Sequence, residues 1–406
     1  MKTVLQWLLL ISLMLVASGK SQPVRTITSS AELQALFAEP VDSLQIYLLR
    51  GTYELQPQTI IDSSCGNCED PATPVEATVG LQISGKHVVL AGVADRSAIL
   101  QTNAGYGIFF NDCQDCRLEN LQITGGIRDP DPNATNAAVV VKNSTVTIQK
   151  NRIFANIGDS SRVNETVVGI MGIAGRENAL INIFDNEIVQ NSWDGIALYR
   201  GASAHIARNL IDGVDQVRGR QIGGGRGVGI GVTWNADAII EDNLIRRYWK
   251  GIGLFVDANG IVRRNIVENI LTWGMSLWDA GKGKPVGVFL DNVIYQTGAC
   301  GMSITRQLPG QNPGMIIGNI IIQTGQNPMY DAPDYYCYQC PLALHAVPRT
   351  FDIEQNLFYD NRRGSPDLPD TDLSPEAFQQ ALQSRCESLK AHPWHEKSSM
   401  VKQFCP

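Results

Sequence analysis

The chain has 406 residues, with 33 Lys and Arg against 40 Asp and Glu for a formal charge of −7, and it is 44% hydrophobic, 7% aromatic and 18% charged. An acidic balance without a basic stripe argues against nucleic acid as a partner, and the hydrophobic share excludes a disordered chain. The 38 glycines, without heptads or long helical periods, exclude a coiled coil or a helix bundle.

In chain order, Met1-Lys2 is followed by an apolar run from Val4 to Val16 and then by Ala17-Ser18-Gly19. This reads as a secretory signal peptide over residues 1–19, too short for a membrane span and with no second span after it. Its removal takes Lys2 away and brings the charge from −7 to −8. The mature protein is expected as a secreted, periplasmic or extracellular monomer. Ser30 to Phe37 reads as a short helix within an N-terminal cap at 20–50. Residues 51–363 form the body, and 364–406 a helical cap and tail whose Ser374-Pro375-Glu376 is a helix start.

The body repeats. Asn151, Asn186, Asn209, Asn243, Asn265, Asn292, Asn319 and Asn356 recur at intervals of 35, 23, 34, 22, 27, 27 and 37 residues, most within phrases such as NEIV, NLID and NVIY. A period with a floor near 22 that varies only upward is a fixed coil carrying loops of different length, hence a solenoid. Five units align without gaps on a second phrase, starting at Gly195, Gly229, Gly251, Gly274 and Gly301. Each unit reads strand, turn, strand, asparagine, strand, loop, which is one coil of a parallel β-helix. The stacked asparagines are expected to bond to one another along the axis.

Nine cysteines include Cys65/Cys68, Cys113/Cys116 and Cys337/Cys340 as CxxC pairs. With a signal peptide, disulfides take precedence over zinc. Cys386 with Cys405 would pin the tail; the first two pairs either close locally or cross-link to each other, and a zinc site built from them is the alternative. Asn133, Asn143 and Asn164 begin N-x-Thr sequons.

The NxI and GIxL phrases from about Ala31 to Asn361 resemble the right-handed parallel β-helix repeat families, which hold pectate lyases, alginate lyases and epimerases, polygalacturonases and NosD-like proteins. The resemblance implies an all-β, single-stranded right-handed parallel β-helix with short capping helices at both ends. It also implies a groove along the first parallel sheet, here the GIxL strands. Read outward, that face carries a floor of small residues, Ala197, Gly231, Gly253, Ser276 and Ser303. Beside the floor come Tyr199, Thr233, Phe255, Trp278 and Thr305, and next to them Arg200, Trp234, Val256, Asp279 and Arg306. Loops 155–168 and 212–228 could wall one side. Aromatics interleaved with Arg, Lys and Asp beside a small-residue floor suit a sugar chain, because rings stack on pyranose C–H faces while polar groups fix hydroxyls or carboxylates.

An elimination on a uronic acid needs a cation against the carboxylate and a base at C5. Arg200, Arg226, Lys250, Lys282 and Arg306 could supply the cation and Tyr199 or a deprotonated Lys or Arg the base, with Trp234, Phe255 and Trp278 as platforms. A hydrolase needs two carboxylates, and Asp194, Asp257 and Asp279 are the candidates. The Asp-Pro-His-Asp phrase of alginate epimerases, the Asn-Thr-Asp, Asp-Asp and Arg-Ile-Lys phrases of polygalacturonases and the acidic calcium cluster of pectate lyases are all absent. No cofactor is therefore expected, calcium having no recognisable site. The expected partner is a polysaccharide or cell-surface glycan, acted on by a lyase or hydrolase or, alternatively, bound without turnover.

Overall fold

The computed structural model describes residues 22–159, 169–214, 226–305, 314–330, 339–345, 351–365 and 372–406. The signal peptide expected at 1–19, most of both long loops, Arg306, Cys337 and Asn164 lie outside them. The described chain winds into coils of three short strands, and every coil-to-coil pairing is parallel. One coil shows the logic: Val228–Val232, Asp237–Glu241 and Leu244–Arg246 alternate so that Ile230, Val232, Ala238, Ile240 and Ile245 point inward and are buried. A strand turns successive side chains to opposite faces, so three short apolar bursts per coil suffice to fill the axis. The strands stack into three parallel faces, here called the first, second and third stacks; the third alone has eleven strands.

The repeat asparagines form the expected ladder at the bend before the third stack. From Asn151 to Asn319, each side-chain amide donates to the Oδ1 of the next asparagine at 2.9–3.2 Å. That oxygen also accepts the main-chain N–H of the donor residue. The amide's other proton reaches a carbonyl of the neighbouring coil, as Asn243 does to Ile206 at 2.9 Å. A wholly buried amide is thus satisfied on both ends, and the ladder begins at Asn151, the preceding coils carrying Leu121 and Ala98 at the same position. The residue ahead of each asparagine turns the corner in the left-handed region, as Asp185, Arg208, Asp242, Arg264 and Asp291 do at φ 51–57°.

Both ends carry helices. Ser29 Oγ accepts from Glu32 N to start the helix Ser30–Leu36, whose Leu33 is buried. At the other end Ser374 starts Pro375–Lys390, which stacks Phe378 on Tyr359 of the last coil. The chain then runs back along the third stack as far as Arg208, whose carbonyl accepts from Trp394 Nε1 at 3.1 Å. Glu268, buried in the stack, accepts from Ser398 Oγ and from the main-chain N–H of Ser399 and Met400, where a short helix begins. Disulfides join Cys386 to Cys405, Cys65 to Cys68 and Cys113 to Cys116, so both CxxC pairs close locally. Among the described residues no helix is long and apolar enough to cross a membrane.

One addition was not expected. The strand Gln58–Asp62 pairs antiparallel with Val75–Val79, and the loop between them lies over the first stack. Beneath it is a second core of Val79, Tyr106, Phe109, Val140, Met171, Ala174, Ala197 and Tyr199. It also covers a buried charge network: Asp62 binds Lys142 at 2.5 Å and Arg176 at 3.1 Å, and Arg176 donates to Thr135 Oγ1 and Ser64 O. We call residues 63–74 the strap.

Candidate active face and aromatic box

The register of the first stack agrees with the gap-free alignment. Ile196, Ile230, Ile252, Met275 and Met302 are successive partners, and so are Ala197, Gly231, Gly253, Ser276 and Ser303. The small-residue floor is therefore real, but it is not uniform. At Gly253 the ring of Phe255 folds back over it, so that a Cβ there would stand 2.1 Å from Phe255 Cζ. Over Ala197 and Ala174 the second core closes it.

The open part carries an aromatic box. Trp249 and Trp273, from two consecutive coils, meet edge to face at 5.8 Å, and Phe255 and Trp278 do so at 6.4 Å. Lys250 stands among the four rings, its Nζ 4.5 Å from Trp273, 4.6 Å from Trp249, 5.1 Å from Phe255 and 5.8 Å from Trp278. Rings present their negative faces to a cation, so this cluster holds an otherwise buried ammonium. Trp249, Lys250, Trp273 and Trp278 with Ser276, Ser303 and Thr305 line a cavity of about 340 Å³. Among the described residues Ser276 Oγ, buried there, has no hydrogen-bond partner. Nothing in the sequence alone assigns Trp249 and Trp273 a role; what reveals it is their meeting across two coils.

Upstream of the strands the rim holds Asp194 and Arg226. Asp194 is buried, and its Oδ1 accepts from Val228 N at 2.6 Å. Burial pushes its carboxyl up to about 7, against the Val228 N–H and the nearby Lys250 charge, which both pull it down. The Arg226 guanidinium lies 5.4 Å from the Trp193 ring, and burial, helped by the Arg128 charge, lowers its proton affinity.

Downstream, several sequence expectations need correction. Tyr199 is not an exposed base or platform: it is 6% exposed inside the second core, and burial, aided by the Asp194 charge, drives its hydroxyl far above the ordinary tyrosine range. Asp257 and Asp279 do not stand in the groove as a carboxylate pair. Asp257 Oδ1 accepts from Asn235 N at 2.7 Å and fully buried Asp279 from Gly281 N at 2.9 Å, so each caps a turn. Asp194 is held in the same way by Val228. Among the described residues Arg200 pairs with no carboxylate; it lies over the Trp234 ring at 4.4 Å and donates to Glu69 O at 3.4 Å. Lys282 lies 5.6 Å from the same ring and forms an ion pair with Glu69, whose carboxyl is held below the usual range by the hydrogen bond and charge of Lys282. Trp234 Nε1 donates to Asn67 Oδ1 at 3.0 Å. Thus Arg200, Trp234 and Lys282 do come together, under the strap and apart from Phe255, Trp278 and Lys250. Among the described residues no three His, Cys, Asp or Glu side chains converge as metal ligands.

Coil, register and groove define a right-handed parallel β-helix protein. Within it, residues 172–330 match the family described as right handed beta helix region. No curated protein matches the chain in sequence. Among solved structures, an exopolygalacturonase from Thermotoga maritima is similar at 12% identity and a TM-score of 0.40, over 84% of this chain and 80% of that one. A pectate lyase from Bacillus sp. N165 is similar at 13% and 0.39, over 91% and 93%. A surface adhesin of Streptococcus pneumoniae is similar at 12% and 0.34, over 82% and 76%.

Proposed function

We propose that this is an extracytoplasmic polysaccharide-binding β-helix protein whose binding face is the open part of the first stack. The observation that carries the reading is the box: two partly exposed indoles, Trp249 at 40% and Trp278 at 42%, stand beside Trp273, an ammonium and a floor of hydroxyls. Indole faces take the C–H side of a pyranose, while Lys250 and the Ser276, Ser303 and Thr305 hydroxyls offer hydrogen bonds to its oxygens. The three disulfides agree with a location outside the cytoplasm.

Turnover is the second reading, and Asp194 favours it. A carboxyl with its pKa near 7 beside a lysine charge can give or take a proton near neutrality. Elimination on a uronate would use Lys250 against the sugar carboxylate and Asp194 for the proton.

Calorimetric titration with neutral and uronate hexasaccharides, together with ultraviolet detection of unsaturated products, separates the two readings. Trp278→Ala should weaken binding by about tenfold, the scale of one lost aromatic contact. Wild-type affinity in that variant, or no binding across a broad glycan panel, would overturn the proposal. Asp194→Asn should abolish any turnover while leaving binding in place.

A further inference from the structure

We propose that Arg200, Trp234 and Lys282 form a subsite for an anionic sugar substituent, a carboxylate or a sulfate, which Glu69 of the strap occupies in cis. The inference rests on the glycan reading above and deepens it by giving the ligand its charge.

The geometry has the composition of an acid-binding platform. Two cations lie against one indole, Arg200 at 4.4 Å and Lys282 at 5.6 Å from the Trp234 ring. Among the described residues the only carboxylate that pairs with either cation is that of Glu69, brought in from 213 positions away. The neighbouring acids are committed elsewhere: Asp257 to Asn235 N, Asp279 to Gly281 N and Asp70 to Ala72 N. Among the described residues Arg200 uses its fork sparingly, with one 3.4 Å bond to a carbonyl and a buried Nε that has no partner. A planar guanidinium can grip a carboxylate or sulfate through two parallel bonds, so this one has unused capacity.

Glu69 is built to leave. Its side chain is 78% exposed and that of Lys282 49%, and an ion pair this open to water contributes little. The strap does not depend on it, being stiffened by the Cys65–Cys68 disulfide and held by Asn67 on Trp234 and by Ser64 on Arg176. The subsite also continues the box. Thr233 lies one coil ahead of Phe255 and two ahead of Trp278, and coils repeat at about 4.8 Å, so a short oligosaccharide spans both. A bound chain with an acid group at this end would displace the Glu69 carboxylate and take its place.

The test uses the full protein, wild type, Glu69→Gln and Trp278→Ala, titrated with a uronate hexasaccharide, its carboxyl-reduced neutral counterpart and a sulfated hexasaccharide. Glu69→Gln removes the competing charge and should tighten binding of an anionic probe by about two- to fivefold, the most an exposed pair withholds, with no change for the neutral one. The gain should vanish at about 1 M salt. Which anionic probe gains identifies the substituent. No gain on either, or an equal gain on the neutral sugar, overturns the inference even if Trp278→Ala shows that the box binds glycan. Conversely, a gain in Glu69→Gln with Trp278→Ala indistinguishable from wild type would keep the subsite and remove the box.

Discussion

The two halves of the first stack share one strand register and differ in what lies on top. Tyr199 and Trp278 occupy the same column, one residue past the second inward side chain, yet Tyr199 is 6% exposed and Trp278 42%. The strap makes the difference, having turned the N-terminal half into the floor of a second core with charges sealed beneath it. The C-terminal half keeps its outward face, and there the aromatic side chains gather round a lysine. A repeat therefore dictates which way a side chain points but not whether water reaches it, which is decided by segments outside the repeat.

The comparison breaks most sharply at Asp62, which is 1% exposed at its side chain and neutralises both Lys142 and Arg176. Asp62→Ala leaves buried Lys142 without its counter-charge and Arg176 with Glu177 as its remaining carboxylate partner, and removing one partner of a buried pair costs about 3–5 kcal/mol. Denaturant unfolding should show that loss together with cleavage of residues 58–74 by protease. A stable, protease-resistant variant would mean that the covered half does not need its charge lock.

A mutation common to both halves comes next. Asn243→Ala removes an amide that donates to Asn265, Ile206 and Glu241 and accepts from Asn209. Each buried group left unmatched costs about 1–3 kcal/mol, so the loss should be about 3 kcal/mol, with no effect on glycan affinity at the box. A change in affinity equal to that of Trp278→Ala would instead tie the ladder to the site.

The coil, its register and the ladder were legible because each is local: a period, a glycine followed by alternating apolar residues, and one asparagine per turn. The C-terminal helix was legible as well, Ser374 and Pro375 standing where a cap and first turn belong. What the sequence did not carry was everything made by distant segments. No spacing rule connects Glu69 to Lys282 or Ser64 to Arg176. Turn carboxylates misled for a related reason: Asp257 and Asp279 look catalytic in a column of outward positions, but a short acid beside a bend finds a main-chain N–H first. The role of Trp249 and Trp273 was not legible either, since a stacked pair within a turn and one wall of a box have the same spacing.

The smallest expected effect is a pH dependence at the border between the halves, where Asp194 sits between buried Tyr199 and the Lys250 box. Its folded pKa, about 7, lies above the ordinary 3.8, so the native state holds a proton that the unfolded chain releases. A raised acid contributes stability that is fully present below about pH 4 and is lost as pH rises toward 7, at no more than about 1.4 kcal/mol per pH unit. Asp194→Asn retains an oxygen for the Val228 N–H and removes the titration. Its melting temperature should therefore decline less than that of wild type between pH 5 and 7, with the two curves parallel above pH 8. Parallel curves over the whole range would show that Asp194 is ionised in the folded protein at neutral pH. Its carboxylate would then be steadied by Lys250 and Val228, and the proton-transfer reading of this residue would go with it.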